Sequence, residues 1–460
     1  MTGQAVGRIA DRVDDIETGL RTRTGAVTVI GDPQDAGMCT LRIVWADPYA
    51  SMPPPPARRP GSVSVRDLAT IGRTLDGGEL RIPLLAHTGI VGKTGSGKSS
   101  ALWTMIDLLT AASDVVVMGI DLSDGPALNI WGDCITHYAT TPETARGVLM
   151  VALAIAHARA AVMGRRLRPT ADSDPGADVS ETWRPTPDGP ALILVIDEYP
   201  LVAAHAELRE LVEEYLRVAR KAAGYAYIAS QRAGRHEMGT TTVRAMLATR
   251  ILLACEPGDV EMLLGPGRRA AGWRPDRLRP ATGEDPGDAG RCYVDGPGHG
   301  EPRVSAVYRL SAAEVRRRAV ERLRHIREHG RPTIDRETWD RADVYARQRW
   351  GAGLDDLLAG RDDQDVDGGR RGQGDGGGVP RILADLCTVM DGRDTHTRAI
   401  LPALAELDDR YAGWSGADLA DAVRPYGLTP AQLRNVAGVA NANGYRWADV
   451  TSAVDRAAGA

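Results

Sequence analysis

Runs that are apolar at nearly every position recur through the middle of the chain, at residues 115–120, 192–196 and 224–230. Such runs predict strands buried on both faces, as in a parallel sheet. Between them lie stretches of helical periodicity, 100–109 and a long one around 149–163. The alternation over 86–310 predicts an α/β domain with a mainly parallel sheet and helices on both faces. Residues 1–85 read as a lead-in: a strand at 39–45, the stiff run Pro53-Pro54-Pro55-Pro56, and a turn and strand at 75–82. Residues 168–190, rich in Pro, Asp and Gly, interrupt the middle region as a surface insertion. Beyond it, 311–361 is charged and helical, with a helix expected at 311–330. Residues 362–379, dominated by Gly, Asp, Arg and Gln, have little apolar surface to bury and read as a flexible linker. Residues 380–460 form a small helical module, and no solenoid-type repeat is present.

Composition narrows this picture. At 460 residues and 43% hydrophobic content the chain supports a large core and more than one domain. A formal net charge of −5 predicts no general affinity for polyanions, so a nucleic-acid contact requires a local patch. The five cysteines, at 39, 134, 255, 292 and 387, form no C-x-x-C pair, which argues against a zinc ribbon or a disulfide framework and fits a reducing cytoplasm. The first residues contain no signal-peptide apolar core, and His157 and Arg159 interrupt the apolar helix at 149–163. The expectation is a cytoplasmic chain that reaches a membrane only through an anchoring partner.

Only three lysines stand against 53 arginines, and two of them lie in Gly92-Lys93-Thr94-Gly95-Ser96-Gly97-Lys98-Ser99. This is G-x-x-x-x-G-K-[ST], between an expected strand at 84–91 and the helix at 100–109. Glycines at those positions let backbone N–H groups curl around a polyphosphate at the positive end of a helix. Lys98 would reach the β- and γ-phosphates of ATP, and the Ser99 hydroxyl would ligate Mg²⁺. Residues 192–196 end in Asp197-Glu198. Asp197 would hold Mg²⁺ through water, and Glu198 would polarise the attacking water. A third strand, 224–230, ends in Gln231, an amide able to sense the γ-phosphate.

From Arg217 to Arg232 the chain reads Arg-Val-Ala-Arg-Lys-Ala-Ala-Gly-Tyr-Ala-Tyr-Ile-Ala-Ser-Gln-Arg. It resembles the FtsK/SpoIIIE DNA translocases, where an R-A-A-G stretch leads into a strand closing with A-T-Q-R. Thr249-Arg250-Ile251 and Leu263-Leu264-Gly265 resemble that family's T-R-I strand and L-L-G turn. Ile120-Asp121-Leu122 stands where the family has I-D-P-K, without the Pro and Lys. The resemblance covers about residues 70–310 and is nearest the actinobacterial conjugative TraB-like branch. It implies a RecA-like motor domain, a homohexamer on double-stranded DNA, and ATP hydrolysis coupled to DNA movement in conjugation or segregation. It also implies a charge acting on a neighbouring subunit's ATP, with Arg220, Lys221 and Arg250 as candidates. Two rivals are a type VII-like protein secretion ATPase and a nucleotide-switched DNA-binding regulator.

In the C-terminal module, helices are expected at 382–390, 397–407, 416–423 and 429–436, the last opened by Thr429-Pro430. An Asn443-Gly444 turn then suggests the hairpin of a winged helix. Residues 422–448 hold three arginines and no acid in an otherwise acidic module. Arg434 and Asn435 are candidates for base contacts, and Tyr445 and Arg446 for the phosphates or the minor groove.

Overall fold

The computed structural model describes residues 6–22, 26–32, 34–35, 37–123, 125–169, 180–234, 241–359, 381–390, 393–407, 411, 413–433 and 442–458. The chain divides into two compact units, Met1–Asp367 and Gly368–Ala460. The first begins with helices α1 (Val6–Ala10) and α2 (Val13–Leu20) against the hairpin β1 (Val27–Gly31) and β2 (Cys39–Ile43). Next come β3 (Leu68–Thr74), β4 (Glu79–Pro83), β5 (Thr88–Val91), α3 (Lys98–Thr110), β6 (Val115–Asp121), α4 (Pro126–Asn129), β7 (His137–Ala139) and α5 (Pro142–Leu167). The order continues with β8 (Ala191–Asp197), α6 (Tyr199–Ala203), α7 (Ala206–Val218), β9 (Gly224–Ser230), α8 (Thr241–Met246), β10 (Thr249–Leu252) and α9 (Pro257–Leu264). It closes with β11 (Arg291–Asp295), β12 (Val304–Val307), α10 (Ala312–His329), α11 (Arg336–Trp350) and α12 (Leu354–Leu358).

Ten of these strands form one sheet, in the order β4-β3-β12-β11-β10-β5-β9-β8-β6-β7. From β10 to β7 all pairings are parallel, and from β4 to β10 all are antiparallel. The class is therefore α/β with a mainly parallel centre. Every residue of β6, β8 and β9 is buried. Alternate residues feed two cores: Val116, Met118 and Ile120 join the layer that holds α5 and α7, whereas Val115 and Val117 join the layer that holds α3. Burial on both faces explains why these strands are apolar without alternation.

Three expectations for this unit change. The strand expected at 84–91 shortens to β5, because residues 84–87 bend: the Leu84 carbonyl accepts from the Tyr227 hydroxyl and the His87 carbonyl accepts from the Ala248 amide. Residues 1–85 are not a separate lead-in, since β3 and β4 extend the main sheet. The proline run is held as well as stiff, because Arg318 donates to the carbonyls of Pro55 and Pro56. Helix α5 is the one described helix long and apolar enough to cross a membrane, but 78% of its apolar window is buried inside the protein. Arg159 within it is fully buried and donates to the carbonyls of Ala222 and Pro190, which makes α5 a core helix.

The second unit contains α13 (Arg381–Met390), β13 (Thr395–His396), α14 (Thr397–Leu407), α15 (Gly416–Val423), β14 (Ala431–Leu433), β15 (Ala442–Tyr445) and α16 (Trp447–Ala458). Its sheet order is β13-β15-β14, all antiparallel. Two expectations are corrected here. Thr429-Pro430 opens no helix; it leads into β14, where Leu433 is buried and pairs with Ala442. Asn443-Gly444 is not a turn but the centre of β15, where Asn443 pairs with Gln432 of β14 and Gly444 pairs with both β14 and β13. A Cβ on Gly444 would collide with the Thr395 carbonyl, so the glycine serves close strand approach. The expected linker 362–379 lies outside the described residues.

Candidate functional site

The parallel strands place their C-terminal ends along one edge, and the loops leaving that edge build a hollow of about 470 Å³. Its floor is the phosphate-loop sequence itself, running from β5 into α3. Gly95 and Gly97 have φ of 78° and 93°, a left-handed backbone that favours glycine. They also make room for a second wall. A Cβ on Gly95 would lie 2.6 Å from the Ala281 carbonyl, and one on Gly97 would collide with the Gly290 amide. The loop is tied on both flanks: Gly92 N–H donates to the Ser230 carbonyl at 3.2 Å and Lys93 N–H to the Ala254 carbonyl at 2.9 Å. Lys98 opens α3, so the first amides of the helix, which have no intrahelical acceptor, face the hollow together with its positive dipole end.

Lys98 Nζ lies 2.6 Å from Glu198 Oε2 and 3.2 Å from Asp197 Oδ1. One cation is thus shared by the two carboxylates that end β8. Burial raises the Asp197 carboxyl above the ordinary aspartate range, Lys98 opposes that rise, and Asp121 adds to it. Asp121 is fully buried and stands beside Asp197 in register at the end of β6. Its carboxylate accepts from the Ser123 amide and hydroxyl and from the Gly125 amide, so it shapes the β6 loop along the hollow. Glu198 has φ 51° and ψ 55°, one of three described non-glycine residues in the left-handed region. That conformation is sparsely populated and stores strain at the end of β8.

Gln231 leaves β9 into the same hollow, and its Oε1 accepts from the Thr94 hydroxyl at 3.4 Å. The sequence reading thus named residues that the fold brings together: Lys93, Thr94, Gly95, Gly97, Lys98, Ser99, Asp197, Glu198 and Gln231 all line it. Ser96 does not; its side chain is buried beneath the loop. Ser99 and Asp197 both line the hollow and are hard oxygen donors, so the donor set fits Mg²⁺.

Several contributors were missed. Asp259 is 2% exposed and accepts from Arg232 Nε, the Ala233 amide and the Glu256 amide, which clamps the loops after β9 and β10 to each other. Glu256 in turn pairs with Lys93 at 3.4 Å. The pattern Glu256-Pro257-Gly258-Asp259, a capped helix start with an acid in its first turn, carried that signal. Arg309, exposed on the far wall after β12, carried none: it is one of 53 arginines.

The candidates for a trans-acting charge lie elsewhere. Arg220 and Lys221 precede β9, whose other end adjoins the phosphate loop, so they occupy the opposite edge of the sheet. Arg250 is engaged with Asp295 at 3.0 Å, which also binds Arg268 at 2.5 Å. None of the three lines the hollow.

Of the nucleic-acid candidates, Arg434 and Asn435 lie outside the described residues. Arg446 is exposed after β15. Tyr445 is 1% exposed within the core of the second unit, which makes it a packing residue and not a surface contact.

No family model and no curated protein matches the chain. Among solved structures, it is similar to the cytoplasmic domain of the type VII secretion ATPase EccC from Thermomonospora curvata, with 20% identity over 61% of this chain and 33% of that one and a TM-score of 0.43. It is also similar to the pCW3 conjugation coupling protein TcpA, with 15% identity, 70% and 87% coverage and a TM-score of 0.44. A third is EssC from Geobacillus thermodenitrificans, with 15% identity, 62% and 54% coverage and a TM-score of 0.45. The chain spans about a third of the EccC cytoplasmic domain.

Proposed function

We propose that the first unit is an ATPase and that its hydrolysis drives movement of double-stranded DNA, in conjugative transfer of a mobile element or in segregation. One observation carries the ATPase reading: Lys98, at the head of the phosphate-loop helix, reaches both carboxylates at the end of β8. The Lys98 ammonium trades Asp197 and Glu198 for the β- and γ-phosphates when ATP enters. Released from Lys98, Glu198 orients and deprotonates the attacking water. Gln231, already bonded to Thr94, lies where it can contact the γ-phosphate. Mg²⁺, held by Ser99 and by Asp197 through water, would offset charge between the β- and γ-phosphates.

The DNA reading rests on the R-A-A-G to Ser230-Gln231-Arg232 resemblance and on the second unit. That unit runs helix, strand, helix, helix, strand, strand, helix, with sheet order β13-β15-β14, an order compatible with a winged helix. In that arrangement α15 takes the place of the groove-entering helix. Arg220, Lys221 and Arg250 remain the candidates for a charge supplied to a neighbour in a hexameric ring. A membrane-anchoring partner belongs to the same reading.

One observation favours the rival, a protein-translocating ATPase: α15 has an acid, Asp418, in its first turn and no cation in its last, a poor surface for a phosphate backbone. ATP turnover with and without duplex DNA separates the two. Stimulation by DNA of any sequence supports the DNA motor, and indifference to DNA supports the rival.

A further inference from the structure

Three cations line the nucleotide hollow: Lys93, Lys98 and Arg309. Lys93 is paired with Glu256, and Lys98 with Asp197 and Glu198. Arg309 is exposed, and among the described residues its guanidinium has no carboxylate partner. Its backbone, by contrast, is firmly placed. Strand β12 is antiparallel to β11 and β11 to β10, so β12 runs the same way as β5 and ends at the edge where the phosphate loop leaves the sheet. Two hydrogen bonds tie that end to the loop: the Gly290 amide donates to the Ser96 carbonyl at 2.8 Å, and the Val307 amide to the Gly290 carbonyl at 2.9 Å. The Thr104 hydroxyl of α3 donates to the Tyr308 carbonyl at 3.1 Å, which fixes the residue before Arg309 against the phosphate-loop helix.

Sheet order gives the hollow two ends. On one side of β5 lie β9 and β8, which carry Gln231, Asp197 and Glu198; on the other lie β10, β11 and β12. Neighbouring strands are about 4.8 Å apart, so β8 stands about 10 Å from β5 in one direction and β12 about 14 Å in the other. Ser123 and Gly125 follow β6, beyond β8, and flank the carboxylate end. A triphosphate whose γ-phosphate faces Asp197 and Glu198, and whose middle rests on the amides at the head of α3, runs its ester end towards β12. The first phosphate met from that side is the α-phosphate.

We propose that Arg309 binds the α-phosphate of the nucleotide held by its own subunit. It is a binding residue at the nucleoside end of the hollow, separate in position and role from the carboxylates that act on the γ-phosphate. A planar guanidinium matches two non-bridging phosphate oxygens at once, and these oxygens are charged in ADP as in ATP. The inference rests on the ATPase reading, because that reading sets which way the triphosphate lies.

The test is calorimetric titration of the full chain with Mg²⁺ and either ADP or a non-hydrolysable ATP analogue. Arg309→Ala should weaken both by the same factor, about tenfold, the worth of one exposed charge-assisted hydrogen bond. Arg309→Lys, which keeps the charge, should recover part of the loss. Arg309→Met, whose uncharged stem is able to pack on a base, should lose as much as Arg309→Ala. In turnover, the KM for ATP should rise by the same factor while kcat at saturation is retained, and the variants should melt like the parent without nucleotide. Unchanged binding in Arg309→Ala would overturn the proposal. So would a loss confined to the ATP analogue and accompanied by a fall in kcat, which places the guanidinium on the γ-phosphate, or full binding by Arg309→Met, which places it on the base. A parent that binds neither nucleotide would refute the ATPase reading itself and take this inference with it.

Discussion

Lys98 and Glu198 meet at 2.6 Å yet are assigned different work, and substitution should separate them. Lys98→Ala removes the charge that holds phosphate, so nucleotide binding and hydrolysis should both fall. Glu198→Gln keeps the shape but removes the base; ATP should still bind while turnover drops by about 10²-fold or more. Turnover in Glu198→Gln within about threefold of the parent would contradict the role of Glu198, because a general base is worth far more than that. Asp107 makes a different prediction. It is the shared carboxylate for three buried or nearly buried arginines, and it joins the phosphate-loop helix to α10 and to the segment after the proline run. Asp107→Asn leaves those cations without their counter-charge and should cost about 3–5 kcal/mol of stability, measured by denaturant unfolding of the first unit.

At the scale of elements, β5 depends on a histidine. His87 Nδ1 accepts from the Ala226 amide at 3.1 Å, which fixes β9 beside the start of β5 and requires an unprotonated Nδ1. Burial lowers the His87 pKa from 6.5 to about 4. The folded state therefore holds this proton less tightly than the unfolded chain. The associated stability is present above pH 6.5 and is lost as pH falls from 6.5 towards 4, amounting to about 3 kcal/mol. His87→Gln should flatten the unfolding free energy across that window, and an unchanged slope would refute the assignment. In the second unit, Gly444→Ala forces a side chain against the Thr395 carbonyl and should destabilise that unit by about 1–3 kcal/mol, without affecting nucleotide binding by the first.

The same elements show what the sequence made legible. β6, β8 and β9 announced themselves because burial on both faces demands unbroken apolar runs. The phosphate loop did so because its glycines answer to backbone geometry and close approach. The last module misled where local and tertiary signals conflict. Thr429-Pro430 is a helix start by propensity, and Asn443-Gly444 a turn, but pairing with β15 makes the residues just after Thr429-Pro430 a strand, and pairing with β13 and β14 makes Asn443-Gly444 part of one. Asp107 with its arginines was invisible, since contacts across more than 200 residues leave no local pattern.

At the scale of the whole molecule, every residue of the proposed hydrolytic site belongs to the first unit, so deleting residues 368–460 should leave ATP turnover largely intact. If the second unit selects DNA, the same deletion should remove any preference for a duplex sequence, and Arg446→Ala should weaken all duplexes alike and flatten the salt dependence. A selection from random duplexes that enriches a motif only with the truncated chain would contradict that role. The ring reading adds that Glu198→Gln subunits mixed into the parent should depress activity more than in proportion to their fraction. The central claim, that ATP hydrolysis at the Lys98–Asp197–Glu198 cluster is coupled to double-stranded DNA, is tested most directly by steady-state ATP turnover of the full chain with Mg²⁺, with and without long duplex DNA. The account predicts a severalfold rise with duplex DNA that is abolished in Lys98→Ala. Turnover that is absent, or that duplex DNA leaves unchanged, would contradict it.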